Sequence, residues 1–122
     1  MSRKTQPAPQ DFLPLALPIF QMLLVLGEGE RHGYAMKREI LKRTGGKINL
    51  GPGVLYGSIN KMLEQGFIVE SEERPDAHLD DERRRYYRIT EFGRLVAQAE
   101  GARLRELVDM AEARFGLPEA AR

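Results

Sequence analysis

A chain of 122 residues with 42% apolar content is long enough for one domain with a core of modest size. It holds no cysteine, which excludes a disulfide framework and thiolate metal sites and is compatible with a reducing cytoplasm. Nineteen Lys and Arg against 18 Asp and Glu leave a net charge of +1, which argues against non-specific coating of nucleic acid but not against a local basic face.

Residues 1–11 are polar and proline-containing and lack the apolar centre of a secretory leader, so they read as a flexible arm. Leu13 to Leu26 is apolar but interrupted by Pro14, Pro18 and Gln21, and it is too short to span a bilayer. Pro18 suits the start of a helix running to about Gly27. That helix is greasy on nearly all sides, and one small domain covers only one face, so the pattern hints at a subunit interface. Gly27-Glu28-Gly29-Glu30 predicts a turn, and Tyr34 to about Arg43 a second helix. Tyr34, Met36, Ile40 and Leu41 are its expected inward residues. Thr44-Gly45-Gly46 stops it. His32, in the turn ahead of this helix, is expected to cap it or bond to backbone rather than to catalyse.

Pro52 opens a third helix whose Leu55, Ile59, Met62 and Leu63 recur at helical spacing, and Gly66 suits its left-handed stop. The opposite face carries Gly53, Val54, Tyr56, Gly57, Ser58, Asn60 and Lys61, with no carboxylate until Glu64. A helix entering a DNA major groove needs such a face, slim enough to approach and polar enough to read base edges; a plain solvated surface helix is the alternative. Two strand-like runs follow, Phe67 to Glu72 and Arg84 to Thr90, predicting a two-stranded hairpin with a charged tip over Glu73 to Arg83. Thr90 is a good N-cap for a long helix to about Phe115 with a wide apolar stripe. The expected fold is mostly α with a small β-hairpin: a winged helix-turn-helix over 12–90, a dimerisation helix over 91–116 and a tail over 117–122.

Three stretches resemble the PadR-like transcriptional regulators. His32-Gly33-Tyr34 with Met36 and Ile40 is similar to that family's second-helix motif. Gly53-Val54-Leu55-Tyr56, with Leu63-Glu64-Gln65-Gly66-Phe67-Ile68, is similar to its recognition helix and strand start. Arg85 to Gly93 is similar to its second wing strand and the opening of its last helix. The resemblance implies a homodimer joined by first and last helices, repression through operator DNA, and a response to small, hydrophobic or aromatic compounds. The single C-terminal helix is similar to the short branch of the family.

DNA binding needs phosphate contacts for register and base contacts for specificity. Tyr56, Ser58, Asn60 and Lys61 are the expected base readers, with Val54 on a thymine methyl and the backbone of Gly53 at a phosphate. Tyr56 has two other readings, a phosphate ligand or half core. Lys37, Arg38, Lys47, Arg83, Arg84 and Arg85 are the expected phosphate ligands; each is otherwise a solvated cation, and Asp80-Asp81-Glu82 sits beside the last three. Phe20, Leu23, Leu24, Phe92, Val96, Ala99, Leu107 and Met110 are expected at the dimer interface. The chain shows no nucleophile–base pairing, phosphate-cradling glycine loop or metal set, so no enzyme, metal or cofactor is expected. The expected function is a sequence-specific, homodimeric, cytoplasmic DNA-binding repressor of double-stranded operator DNA. The alternative is a winged-helix module that binds protein.

Overall fold

The computed structural model describes residues 7–71 and 85–119. Part of the stretch expected to be an arm is structured. A 3-10 turn, Pro9–Phe12, forms where the Asp11 carboxylate accepts the Ala8 N–H at 2.9 Å. It lies against the last helix.

Helix α1, Leu17–Leu26, has Pro18 in its first turn and stops at Gly27. It packs against every other helix. Ile19, Met22, Leu23, Val25 and Leu26 are buried, while Leu17 and Leu24 stand 56% and 48% exposed. Helix α2, Gly33–Arg43, is capped by His32, whose Nδ1 accepts the Ala35 N–H at 3.1 Å. At its end Thr44 Oγ1 donates to the Ile40 carbonyl at 2.9 Å and accepts the Ile48 N–H at 3.0 Å. Gly45 and Gly46 then take φ of 62° and 84°, which favours glycine and turns the chain toward the next helix.

Helix α3, Pro52–Gln65, buries Leu55, Ile59 and Met62 and ends at Gly66 with φ 81°. Leu63, expected with them, lies at the margin of the stripe and stays partly exposed. Tyr34 is a clearer departure. Met36 and Ile40 fill the inward face of α2, and Tyr34, at its first turn, stands exposed.

The sheet has three antiparallel strands in the order β1-β3-β2, not the expected two. β1 is Arg31–His32, β2 is Ile68–Glu70 and β3 is Tyr86–Ile89. Arg31 pairs with Tyr87 and His32 with Tyr86; on the other side Ile68, Val69 and Glu70 pair with Ile89, Arg88 and Tyr87. The extra strand places β3 in the centre, so both Tyr86 and Tyr87 are buried. The Tyr86 ring meets His32 edge-on at 5.3 Å between centroids.

Helix α4, Glu91–Phe115, is capped by Thr90, whose Oγ1 accepts the Gly93 N–H at 2.9 Å. Its first half packs on α1, the 3-10 turn and β3. Its second half leaves the domain, and every described residue from Arg105 onward is exposed. At the entry of α4 the Thr90 N–H donates to the Phe67 carbonyl at 2.9 Å. A methyl group on Gly93 would come within 2.1 Å of that same oxygen. Glu100, only 2% exposed, receives Arg103 Nε at 2.7 Å and Nη2 at 2.8 Å, and a backbone hydrogen bond from Leu15. The hydrogen bond from Arg103 holds the Glu100 carboxyl below its ordinary value against the opposing effect of burial.

Gly93→Ala forces backbone apart and is expected to lower unfolding free energy by about 2 kcal/mol or more. Gly57→Ala, with open space at its Cβ, is expected to raise it by about 0.5–1 kcal/mol through helix propensity; urea titration distinguishes them. Because the Glu100 pKa is depressed in the folded state, its contribution is complete above the unfolded carboxylate pKa. It is lost as pH falls from about 4.5 through the lower folded value. Melting curves from pH 6 downward should therefore fall less steeply in Glu100→Gln than in the parent.

Candidate nucleic-acid interface

The apolar spacing of α3 fixes which side chains face outward. With Leu55, Ile59 and Met62 in the core, the outward surface consists of Gly53, Val54, Tyr56, Gly57, Asn60 and Lys61, with Ser58 half-buried beside them. Gly53, Gly57 and Asn60 lie one turn apart, as do Val54, Ser58 and Lys61, so two polar strips run side by side. A Cβ on Gly53 or Gly57 would meet nothing within 4 Å, so the helix backbone itself is approachable there. Glu64 enters only at the far end of this face.

The angle of α3 is set by α2. A Cβ on Gly33 would lie 3.2 Å from Ile59 Cδ1 and 3.3 Å from Tyr56 Cε1, so the two helices touch at a glycine. One side of the Tyr56 ring is spent on this contact, and the residue stays 50% exposed. The structure thus makes Tyr56 part packing and part surface.

Between the start of α2, the middle of α3 and β3 lies a cleft of about 460 Å³. Its walls are His32, Gly33, Tyr34, Tyr56, Asn60, Arg85 and Tyr87. Tyr56, Asn60 and Arg85, expected from separate motifs, are brought together here. Arg85 is exposed, and its Nη1 donates to both carboxylate oxygens of Glu70, at 3.2 and 3.4 Å. Burial pushes the Tyr87 hydroxyl pKa up; the Glu70 charge adds to this, while Arg85 opposes it.

The other cations divide. Lys37 donates to the Asn49 side-chain oxygen, tying α2 to the α2–α3 link. The Arg38 guanidinium lies 5.8 Å from the Tyr34 ring centroid, in cation–π range. Lys47 is exposed in the link. Arg83 and Arg84 lie outside the described residues. Arg43, within the same basic stretch, is bound to Glu28 and Glu39 and is structural. Its hydrogen bonds hold both carboxyls below the ordinary range.

The residues expected at a dimer interface also separate. Leu23 and Val96 are fully buried within the protomer, which corrects their assignment: their surface is already used in the core. Phe92 turns its ring toward Phe12 and Phe67, at 5.7 and 6.1 Å between centroids. Leu24, Leu107 and Met110 are exposed, and Phe20 and Ala99 are half-buried. That His32, Tyr34 and Tyr87 share one cleft went unread in the sequence, as did Glu70 as the partner of Arg85, since long-range pairing carries no periodic signal. Among the described residues no group of acidic, His or Cys side chains could hold a metal ion, and no helix is long and apolar enough to cross a membrane.

Comparison with known proteins decides the family. The transcriptional regulator PadR-like family matches residues 22–99, from α1 through the first half of α4. The chain belongs to that family. A transcriptional regulator from Clostridium thermocellum superposes with a TM-score of 0.65 at 23% identity, covering 80% of this chain and 88% of its own. RosR from H. salinarum superposes with a TM-score of 0.58 at 26% identity, covering 88% of this chain and 100% of its own. A protein of unknown role from Lysinibacillus sphaericus is 28% identical over 92 residues, 73% of this chain and 82% of its own length. This PadR-like protein is accordingly a winged-helix, DNA-binding transcriptional regulator and not an enzyme.

The cap at the cleft wall gives a direct check on the regulator. His32→Ala is expected to cost about 1 kcal/mol of unfolding free energy, and His32→Asn, which keeps an acceptor, to restore most of it. Guanidinium denaturation of the three proteins measures both effects.

Proposed function

We propose that this regulator is a cytoplasmic homodimeric repressor that places α3 of each protomer in the major groove of a two-fold-symmetric operator. The observation that carries the reading is the outward face of α3: open at Gly53 and Gly57, free of carboxylates before Glu64, and joined by Arg85 at the shared cleft. In this reading Asn60 and Lys61 read base edges, Asn suited to adenine and Lys to guanine. Val54 faces a thymine methyl, and Ser58 and Tyr56 complete the base contacts. The Gly53 backbone, Lys37, Arg38, Lys47 and the arginines at 83–85 hold phosphates.

Dimerisation is supported by two apolar surfaces that no described residue covers. Leu17, Gln21 and Leu24 share one face of α1, and the Gln21 Oε1 is buried with no hydrogen-bond partner among the described residues. Leu107, Met110 and Phe115 line a shallow hollow of about 540 Å³ on the free half of α4. Such a surface on a soluble regulator suits a second copy, and a small hydrophobic or aromatic effector would enter beside Met110.

The test is selection of bound duplexes from a random pool by the purified protein. A symmetric motif is expected, with half-sites about 34–36 Å apart or a multiple of that spacing. On the selected duplex, Lys61→Ala should lose about 1–3 kcal/mol of discrimination at one base-pair position. A sequence-blind loss would move Lys61 to the phosphate contacts, and no enrichment by a folded dimer would overturn the operator reading.

A further inference from the structure

The cleft beside α3 contains a charge arrangement that DNA binding alone does not explain. Among the described side chains on its walls Arg85 is the only Lys or Arg, which makes it the candidate phosphate seat of that cleft. It is not free. Glu70, on the neighbouring strand and opposite Tyr87 in the register, holds Arg85 Nη1 with both carboxylate oxygens. A residue that only served to hold phosphate would be better without that partner.

We infer that Glu70 is an internal competitor for the phosphate seat at Arg85, setting the affinity of the regulator for every duplex by occupying the guanidinium when DNA is absent. The inference rests on the DNA-binding reading above. Three features support it. The pair is open to solvent, with side chains 64% and 45% exposed, so a phosphate can reach it. Its geometry is loose, 3.2 and 3.4 Å through one nitrogen, where a well-formed charge-assisted bond is about 2.7–2.9 Å. Exposed pairs of this kind contribute little to folding, so stability is a poor account of it. Both charges also act at the cleft wall, where Glu70 raises and Arg85 lowers the pKa of a Tyr87 hydroxyl already raised by burial.

The consequence is electrostatic and sequence-blind. When a phosphate takes Arg85, two anions, the Glu70 carboxylate and the phosphodiester, share one cation. Fewer counterions are released than an unopposed arginine would release. Glu70 therefore weakens non-specific and specific binding together, leaving discrimination to α3.

The experiment measures affinity by fluorescence anisotropy for the full chain and for Glu70→Gln, Arg85→Gln and the double variant. Two duplexes of equal length serve as probes, one selected and one of random sequence, at several salt concentrations. Glu70→Gln is expected to tighten binding to both duplexes by about three- to tenfold, with the salt slope steeper by about 0.9. In the Arg85→Gln background the same change should have less than about a twofold effect. Glu70→Thr, which keeps a β-favouring residue in the strand, should reproduce the gain. Unchanged or weaker binding by both Glu70 variants, with the parent binding DNA, overturns the competitor role alone. An equal gain with and without Arg85 also overturns it, because the acid would then act on the field at large. Failure of the parent and all variants to bind either duplex overturns this inference and the DNA-binding reading together.

Discussion

The structure depends on the backbone at Phe67. There α3 has just ended in the left-handed turn at Gly66, β2 is about to begin, and α4 arrives from the other side of the sheet. The Phe67 carbonyl accepts the Thr90 N–H at 2.9 Å and the Thr90 hydroxyl at 3.0 Å. Its ring meets the edge of Phe12 at 5.2 Å, and Phe92 completes an aromatic group that fastens the N-terminal segment to α4. Gly93 is the residue that lets α4 approach so closely. One peptide thus joins the helix that presents the recognition face, the wing strand and the helix that leads out of the domain. A change in the angle of α4 reaches α3 through this junction or through α1, which packs on both helices.

Around that junction, polar and apolar demands are kept apart. The core needs Leu55, Ile59 and Met62 on one side of α3, and this requirement turns Asn60 and Lys61 outward. The contact at Gly33 fixes the crossing of α2 and α3 and consumes half of Tyr56. The wing contributes Arg85 to the same cleft, but with Glu70 attached. The proposed reading surface is therefore slim, carries Lys61, and is bordered at the cleft by Arg85 with Glu70 paired to it, consistent with a chain whose net charge is near zero. Glu100 and Arg103 do a different job on α4, closing the N-terminal segment against the helix through Leu15.

Local chemistry was legible in the sequence, and long-range pairing was not. The α3 stripe, the stop at Gly66, the cap at Thr90 and the structural role of His32 each depend on residues within a few positions, and each was readable there. Strand β1 was not, because Arg31 and His32 have no strand pattern of their own and become a strand only by pairing with β3. The 3-10 turn at Pro9–Phe12 was hidden for a similar reason: Phe12 is anchored by rings that come from 67 and 92. Leu23 and Val96 were misassigned because a helix apolar all round does not say which side is core. Only the packing of α1 among the other helices separates them from Leu17 and Leu24. Tyr34 failed by its amphipathic character, since a tyrosine at a helix start satisfies an apolar count while standing in solvent. Family membership rested on motif order, which the sequence carried in full.

The central claim is that α3 reads the major groove. Purine N7 atoms lie only in that groove, and the guanine 2-amino group only in the minor groove. The most direct measurement compares the affinity of the protein for its selected duplex with that for two modified copies. One carries 7-deazapurines throughout a half-site, and the other carries inosine in place of guanine. The account predicts that 7-deaza substitution weakens binding by about tenfold or more while inosine leaves it nearly unchanged, in line with the loss of one or two groove hydrogen bonds. Loss of affinity with inosine and not with 7-deazapurines would contradict it, placing recognition in the minor groove and α3 elsewhere.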